Sequence, residues 1–173
     1  MGGGVNIVNA DFFSHLKPFK KYTTPMPQWQ MDLRYPLRCP DSVFDGVFSE
    51  HVLEHFYIDD AIALLREAYR ILRPNGTLRL SVPDLRQHVE RYLAEKASKD
   101  DKRTALASDY IRKLTQDFWH LSVWDYDRLA YELGQIGFAH IKQESFRNGR
   151  DSNLLFDLES RQPFTVYVEA SKL

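Results

Sequence analysis

Two histidines and two glutamates stand close together in residues 49–55, which read SEHVLEH. Imidazole and carboxylate groups at this spacing can transfer protons near neutral pH or bind a metal ion. His51, Glu54 and His55 also fit the H-x-x-E-H pattern, in which two histidines one helical turn apart hold zinc and the glutamate activates water. That chemistry requires a well-formed helix around the motif, whereas here the motif directly follows an apolar run.

The apolar run is the first of two predicted strands that flank a helix. Residues 43–48, reading VFDGVF, are rich in β-branched and aromatic side chains, as is typical of a strand covered on both faces. From Asp59 onward the apolar residues recur at helical spacing, which predicts one helix face packed on a sheet. Asp59 or Asp60 can cap the start of this helix, and the PNG sequence at residues 74–76 ends it.

A second strand is predicted at residues 77–82, closed by Pro83 and Asp84. A strand, a crossover helix and a strand of this length pair in parallel with a right-handed connection. Both strands then bring their carboxyl ends, at residues 49–51 and 83–84, to one edge of the sheet, where open α/β sheets bind ligands. The functional site is therefore expected at that edge.

The rest of the chain continues this pattern of strands and helices. Strands are predicted at residues 5–10, ending at Asp11, and at 29–33. Two helical patterns follow Asp84, and a third helix is capped by Asp125 and ended by Gly137. The last two strands are predicted at residues 141–146 and 164–170. The connection between them is long and polar, and we expect it to fold over the site.

Composition and charge indicate one compact domain in a reducing compartment. The chain has 173 residues, of which 43% are hydrophobic, enough to bury an ordinary core. A net charge of −1 gives no overall attraction to nucleic acid or anionic membranes. No membrane-spanning run or secretory signal is present, and the lone Cys39 excludes an intramolecular disulfide, so we expect a cytoplasmic protein. Exposed strand edges favour pairing between identical chains.

Several short motifs follow one another in a recognisable order. In chain order they are DLRYPL at 32–37, PDSVFD at 40–45, SEHVLEH at 49–55, RILRPNG at 70–76 and VPD at 82–84. Together they resemble the small class I S-adenosylmethionine-dependent methyltransferases of bacteria. Further on, WDY at 124–126, GF at 137–138 and VYVEA at 166–170 look like the last helix and the closing antiparallel strand pair of that family.

The resemblance implies a single α/β domain over residues 1–173. The expected fold is a Rossmann-like, mostly parallel sheet with helices on both faces and a C-terminal antiparallel strand pair. The expected cofactor is S-adenosylmethionine, and the expected reaction is direct displacement of its methyl group by an unidentified small-molecule or glycan acceptor. Because the cofactor carries the activated group, the protein mainly supplies proximity and orientation.

The resemblance also assigns cofactor-binding residues. Asp11 would accept hydrogen bonds from the ribose hydroxyls, Asp32 would take the adenine amine, and Leu33 would cover the adenine ring. Asp11 and Asp32 also suit a simpler role as turn carboxylates. The methionine end and the transferred methyl group would be lined by Ser49, Glu50 and His51.

Three side chains are predicted to accept a proton or position the acceptor. His51 ends the first strand, Asp84 ends the second, and His120 lies in the sequence FWHL. A structural role suits each of them equally. The methyltransferase pattern accounts for every letter of HVLEH without zinc, so no metal is expected, although Glu132 could serve as a distant third ligand.

The N-terminus departs from the family pattern. Gly2, Gly3 and Gly4 fit the remains of a glycine-rich cofactor loop, or a flexible start, and no residues precede them to form the central strand of the family sheet. We therefore expect a sheet short of one N-terminal strand and weaker cofactor binding than in complete relatives. A non-catalytic binding or partner module with the same fold is the alternative.

Overall fold

The computed structural model describes residues 31–173 in full, together with the backbone of residues 10–11 and 29–30. The strands are β1 (Ala10–Asp11), β2 (Trp29–Gln30), β3 (Phe44–Glu50), β4 (Leu72–Pro83), β5 (Phe138–Glu144) and β6 (Thr165–Lys172). The α-helices are α1 (Ile58–Ile71), α2 (Leu85–Lys96), α3 (Asp101–Leu106), α4 (Asp109–Thr115) and α5 (Tyr126–Ile136). Short 3-10 helices lie at Leu53–His55, Ser152–Leu154 and Glu159–Arg161.

The described strands form one sheet of order β3-β4-β6-β5 and a separate short pair, β1-β2. β3 and β4 run in parallel, whereas β6 is antiparallel to both β4 and β5. The predicted parallel pair and the predicted C-terminal antiparallel pair are both confirmed. β5 begins three residues earlier than predicted, because the strand starts directly after the left-handed Gly137 (φ 114°) that ends α5.

The unit β3-α1-β4 fixes where the two strand ends lie. In the parallel register, Glu50 at the end of β3 pairs with Ser81 near the end of β4. The predicted cap of α1 by Asp59 or Asp60 is wrong, since the helix begins at Ile58 without a side-chain cap. These two carboxylates lie in the first turn instead, where their negative charge interacts favourably with the positive end of the helix dipole.

The sheet separates an apolar face from a polar face. Side chains alternate along β4, so Leu78, Leu80 and Val82 join the apolar core formed with α1 and α5. Arg79 and Ser81 point to the opposite face, which the segment between β5 and β6 covers through contacts described below. Among the described residues, no helix has the length and apolar character needed to cross a membrane.

Candidate active site

The carboxyl ends of β3 and β4 meet at one edge, as predicted. The backbone N–H of His51 donates to the carbonyl of Ser81 at 2.9 Å. The backbone N–H of Asp84 donates to the carbonyl of Phe164 at 2.8 Å, which ties the start of β6 to the same edge. Residues 49–51 and Asp84 are therefore brought close together by the ladder of the sheet.

Glu50 fastens the connection between β5 and β6 to this edge. One of its carboxylate oxygens accepts a hydrogen bond from the backbone N–H of Leu158 at 2.9 Å, and its carbonyl accepts one from Arg161 at 2.8 Å. Burial raises the pKa of Glu50 above its usual value. The connection therefore folds onto the site, as expected from its length. The contact of Ser49 and Glu50 with the methionine end of a cofactor stays a prediction.

His51 is a neutral imidazole with a defined tautomer. Its Nε2 lies 2.9 Å from the Thr165 hydroxyl, and that hydroxyl donates its single proton to the carbonyl of Arg161. Nε2 must then carry the proton, which leaves Nδ1 with a lone pair. Burial, with Arg161, His120 and His55 adding to it, lowers the pKa of His51 to about 4. His51 is therefore a hydrogen-bond acceptor rather than a strong base at neutral pH.

Glu54 is the buried centre of a cluster of three histidines. Its Oε1 lies 3.4 Å from His51 Nδ1, 3.9 Å from His55 Nε2 and 4.0 Å from His120 Nε2. Its side chain is only 2% exposed, and neither carboxylate oxygen has a hydrogen-bond partner among the described residues. Burial raises the pKa of Glu54 to about 8, so at neutral pH this carboxyl group holds a proton. We name these four residues the Glu54 cluster.

His120, the third histidine of the cluster in chain order, comes from a distant segment. Its Nδ1 donates to the carbonyl of Leu114 at 2.7 Å, so its Nε2 presents a lone pair toward Glu54. The backbone N–H groups of Leu121 and Ser122 donate to the carbonyl of Glu54 at 2.7 and 3.2 Å. The structure thus brings the predicted His120 beside His51, and it adds Glu54 and His55, which the sequence singled out only within H-x-x-E-H.

The α-helix that a zinc hydrolase needs around H-x-x-E-H is not formed at this motif. Leu53–His55 is a three-residue 3-10 helix, and His51 before it has a left-handed backbone (φ 52°). The two histidines are therefore not placed on one α-helical face. Glu132, the suggested distant ligand, pairs instead with Arg128 of its own helix at 2.6 Å.

Asp84 lies at the end of β4, as predicted, and caps α2. One carboxylate oxygen accepts from the backbone N–H of Arg86 at 3.0 Å, and the other accepts from the side-chain amide of Gln87 at 2.8 Å. An aspartate directly before a helical pattern is a capping signal. Its role as a proton acceptor stays a prediction, and the geometry favours the capping role.

Asp32 follows β2 and is held by Arg34. Its carboxylate accepts from the backbone N–H of Arg34 at 3.1 Å and from the guanidinium at 2.9 Å, and these hydrogen bonds lower the pKa of Asp32. An ionised carboxylate has more acceptor sites than Arg34 occupies, and Leu33 beside it is half-buried. The remaining acceptor sites suit an adenine amine and the Leu33 side chain suits the adenine ring, and both contacts stay predictions. Asp11 lies in β1 as predicted, whereas Gly2, Gly3 and Gly4 lie outside the described residues.

The loop after Asp32 is clamped to the last turns of α1. Arg70 donates to the carbonyls of Leu37 and Cys39 at 2.9 and 2.8 Å and pairs with Asp41 at 2.7 Å. Glu67 accepts from the backbone N–H of Leu37 at 2.7 Å and also binds Arg70. Helix α1 therefore holds the loop between β2 and β3 in one position.

Comparison with known proteins agrees with this fold. Residues 3–80 match the family model described as a methyltransferase domain. The match covers less than half of the 173 residues, so over this stretch the chain is similar to a methyltransferase domain. The matched residues include β3, α1 and the Glu54 turn, whereas Asp84 and His120 lie beyond them. No curated protein matches the chain.

Solved methyltransferase structures share the fold at low identity. A SAM-dependent methyltransferase from Archaeoglobus fulgidus is 18% identical, with a TM-score of 0.51 over 83% of this chain and 66% of that one. A SAM-dependent methyltransferase from Thermotoga maritima is 17% identical, with a TM-score of 0.50 over 83% of this chain and 63% of that one. An O-methyltransferase family protein from Burkholderia thailandensis is 14% identical, with a TM-score of 0.52 over 83% and 35%. The chain thus spans less than two thirds of each.

Proposed function

We propose that this protein transfers the methyl group of S-adenosylmethionine to a small-molecule or glycan acceptor by direct displacement. The observation that carries the proposal is the parallel pair β3-β4, which brings residues 49–51 and Asp84 to one sheet edge in a chain whose residues 3–80 match a methyltransferase domain. Open α/β sheets bind ligands at such an edge. The half-buried Leu33 and the ionised Asp32 support an adenine position next to it.

The residues of the edge act mainly by positioning. S-adenosylmethionine, when bound, supplies a methyl group already activated by the sulfonium, so no strong base is required. His51 is neutral and keeps a lone pair on Nδ1, which lies 3.4 Å from Glu54 Oε1. Burial raises the pKa of Glu54 to about 8, so near neutral pH the proton in this part of the site is on the Glu54 carboxyl group. Glu50 and Arg161 keep the covering segment in place and limit the access of water.

Calorimetric titration of the full chain with S-adenosylmethionine and S-adenosylhomocysteine tests the proposal. We expect saturable binding of both. Asp11→Ala should weaken it by about 1.5–3 kcal/mol, the range for a hydrogen bond to a charged group. Asp109→Ala, at an exposed helix start that pairs with Arg112, is the matched control and should leave the affinity unchanged.

Two outcomes would change this assignment. If neither ligand binds the wild-type chain, the non-catalytic binding or partner module replaces the enzyme. If both ligands bind and Asp11→Ala leaves their affinity unchanged, Asp11 is removed from the cofactor site while the enzyme assignment stands.

A further inference from the structure

The Glu54 cluster contains more hydrogen-bond acceptors than donors. His120 Nδ1 donates to Leu114, which leaves the Nε2 lone pair facing Glu54. The His51 Nε2–H is taken up by Thr165, which leaves the Nδ1 lone pair facing the same oxygen. The Glu54 carboxyl group offers at most one proton to these acceptors, and neither of its oxygens has a hydrogen-bond partner among the described residues. Acceptors that face one another in a buried space need a cation or a proton between them.

A single proton does not satisfy this arrangement. The nitrogens of His51, His55 and His120 lie 3.4, 3.9 and 4.0 Å from Glu54 Oε1. A hydrogen bond from the O–H of a protonated carboxyl group requires about 2.5–3.0 Å and reaches one partner at a time. A larger, divalent cation reaches several ligands at once.

We propose that Glu54, His55 and His120 bind a divalent first-row transition-metal ion such as zinc. One ligand atom from each of the three residues lies within 4.8 Å of the others. Zinc bonds to imidazole nitrogen and carboxylate oxygen are about 2.1 Å long, which places tetrahedral ligands about 3.4 Å apart. The observed 3.9 and 4.0 Å separations from Glu54 to His55 and His120 need only a small inward movement of the side chains.

The surroundings of the three residues are those of metal ligands. The Leu114 carbonyl fixes the His120 tautomer that exposes Nε2, which is how neighbouring acceptors orient ligating histidines. Imidazole with a carboxylate suits zinc, iron and nickel better than calcium or magnesium. The site differs from H-x-x-E-H, since His120 replaces His51 as the second histidine ligand.

The ion would keep an open position. Three protein ligands leave a fourth site free on a tetrahedral zinc. The side chain of His55 is 34% exposed, whereas those of Glu54 and His120 are 2% and 4% exposed, so solvent reaches the cluster past His55. An acceptor oxygen bound there would lose its proton more readily. That use of the ion rests on the proposed methyl transfer, whereas uptake of the ion does not.

Metal uptake by the untagged full chain tests this site. The protein is stripped with chelator and titrated with Zn²⁺ alone by calorimetry, with elemental analysis after gel filtration and visible absorption of the Co²⁺ form. We expect one ion per chain. Glu54→Gln and His120→Ala should each weaken Zn²⁺ binding at least about tenfold. His140→Ala, an exposed histidine on β5, is the matched control and should bind as the wild type does.

Glu54→Gln keeps the shape of the side chain, so it reports on binding even if His120→Ala folds poorly. The site is overturned if the wild-type chain takes up no stoichiometric metal. It is also overturned if Glu54→Gln binds Zn²⁺ as tightly as the wild type. The titration with S-adenosylmethionine is separate, so failure of the methyltransferase proposal and failure of the metal site give different results.

Discussion

Two buried charged clusters in this protein differ in how completely their polar groups are paired. Arg79, on the polar face of β4, donates to Asp157 at 3.1 and 2.5 Å, to Glu169 at 3.1 Å, and to the carbonyls of Asn148 and Ser145 at 3.0 and 3.1 Å. These bonds use all five donors of a guanidinium group. In the Glu54 cluster, both oxygens of an equally buried carboxylate are unpaired among the described residues.

The difference separates a structural cluster from a functional one. Asp157 and Glu169 also accept from the backbone N–H groups of Arg147 and Arg150 at 2.8 and 2.6 Å, so the Arg79 cluster closes on itself and anchors the segment after β5. A network whose hydrogen-bond donors and acceptors are all paired within the protein has none left to bind a ligand. An unpaired buried carboxylate is costly to the fold, and such sites persist where something else binds.

The largest expected effect comes from opening the closed cluster. Arg79→Met should destabilise the protein by about 3–5 kcal/mol, because Asp157 and Glu169 would stay buried without a counter-charge. Urea unfolding followed by tryptophan fluorescence measures the change. Arg86→Met is the control, since that side chain is 75% exposed and its loss should leave stability nearly unchanged. A loss below about 1 kcal/mol for Arg79→Met would mean that the cluster does not stabilise the fold.

The second expected effect has the opposite sign. In the presence of chelator, Glu54→Gln should stabilise the protein by about 1–2 kcal/mol at pH 7, because the amide keeps the shape without the tendency to ionise. Glu169→Gln, the same change in the closed cluster, should destabilise it, since Arg79 loses a charged partner. Urea unfolding of both variants measures the pair. If the two substitutions changed the free energy of unfolding in the same direction, the proposed difference between the clusters would be wrong.

The smallest expected effect on the free energy of unfolding concerns Glu67, which is paired with Arg70 but also contacts solvent. It tests how much an ion pair contributes when its carboxylate is not fully buried. Its hydrogen bond to Arg70 lowers the pKa of Glu67, so the folded state binds this proton less tightly than the unfolded state does. The stabilisation is then present above the usual pKa and is lost as pH falls below it. Glu67→Gln should cost about 1 kcal/mol at pH 7 and progressively less as the pH falls below about 4.5.

Urea unfolding from pH 7 to pH 3 checks the Glu67 prediction. Glu90→Gln is the control, because Glu90 is 62% exposed and its ion pair with Arg86 lies at the surface. A Glu67→Gln difference that stays constant with pH would show that the carboxylate charge contributes nothing to the clamp on the loop after β2.

Local sequence chemistry predicted the elements that contain their own signals. Asp125 caps α5 through the backbone N–H of Arg128 at 2.8 Å, and Gly137 ends that helix in the left-handed conformation, both as predicted. The period of apolar residues likewise placed β3 and α1. Strand β4 begins five residues before the predicted residue 77 and contains the PNG sequence, because α1 already ends at Ile71. The predicted cap of α1 failed because a carboxylate in the first turn resembles a cap in sequence.

Contacts between distant residues could not be read from the sequence in the same way. His120 reaches Glu54 only because residues 121 and 122 hydrogen-bond to the Glu54 carbonyl. Arg79 lies in a strand predicted to be buried, and a charge at such a position signals a partner, but nothing local identifies Asp157. The sequence therefore predicted the sheet edge and the two site histidines His51 and His120. It indicated Glu54 only as part of the H-x-x-E-H pattern, which was not favoured.

Each of the two chain segments that supply the Glu54 cluster contains a residue with a left-handed backbone. These residues are His51 (φ 52°) and Trp119 (φ 57°). For residues other than glycine, such a conformation costs on the order of 1–2 kcal/mol. Neither segment would adopt it in isolation, so the cluster exists only while the sheet edge and the segment after α4 are docked together. The amide protons of Leu121 and Ser122, both bonded to Glu54, should therefore exchange with solvent in concert, and their protection would report the assembly of the whole site in a single measurement.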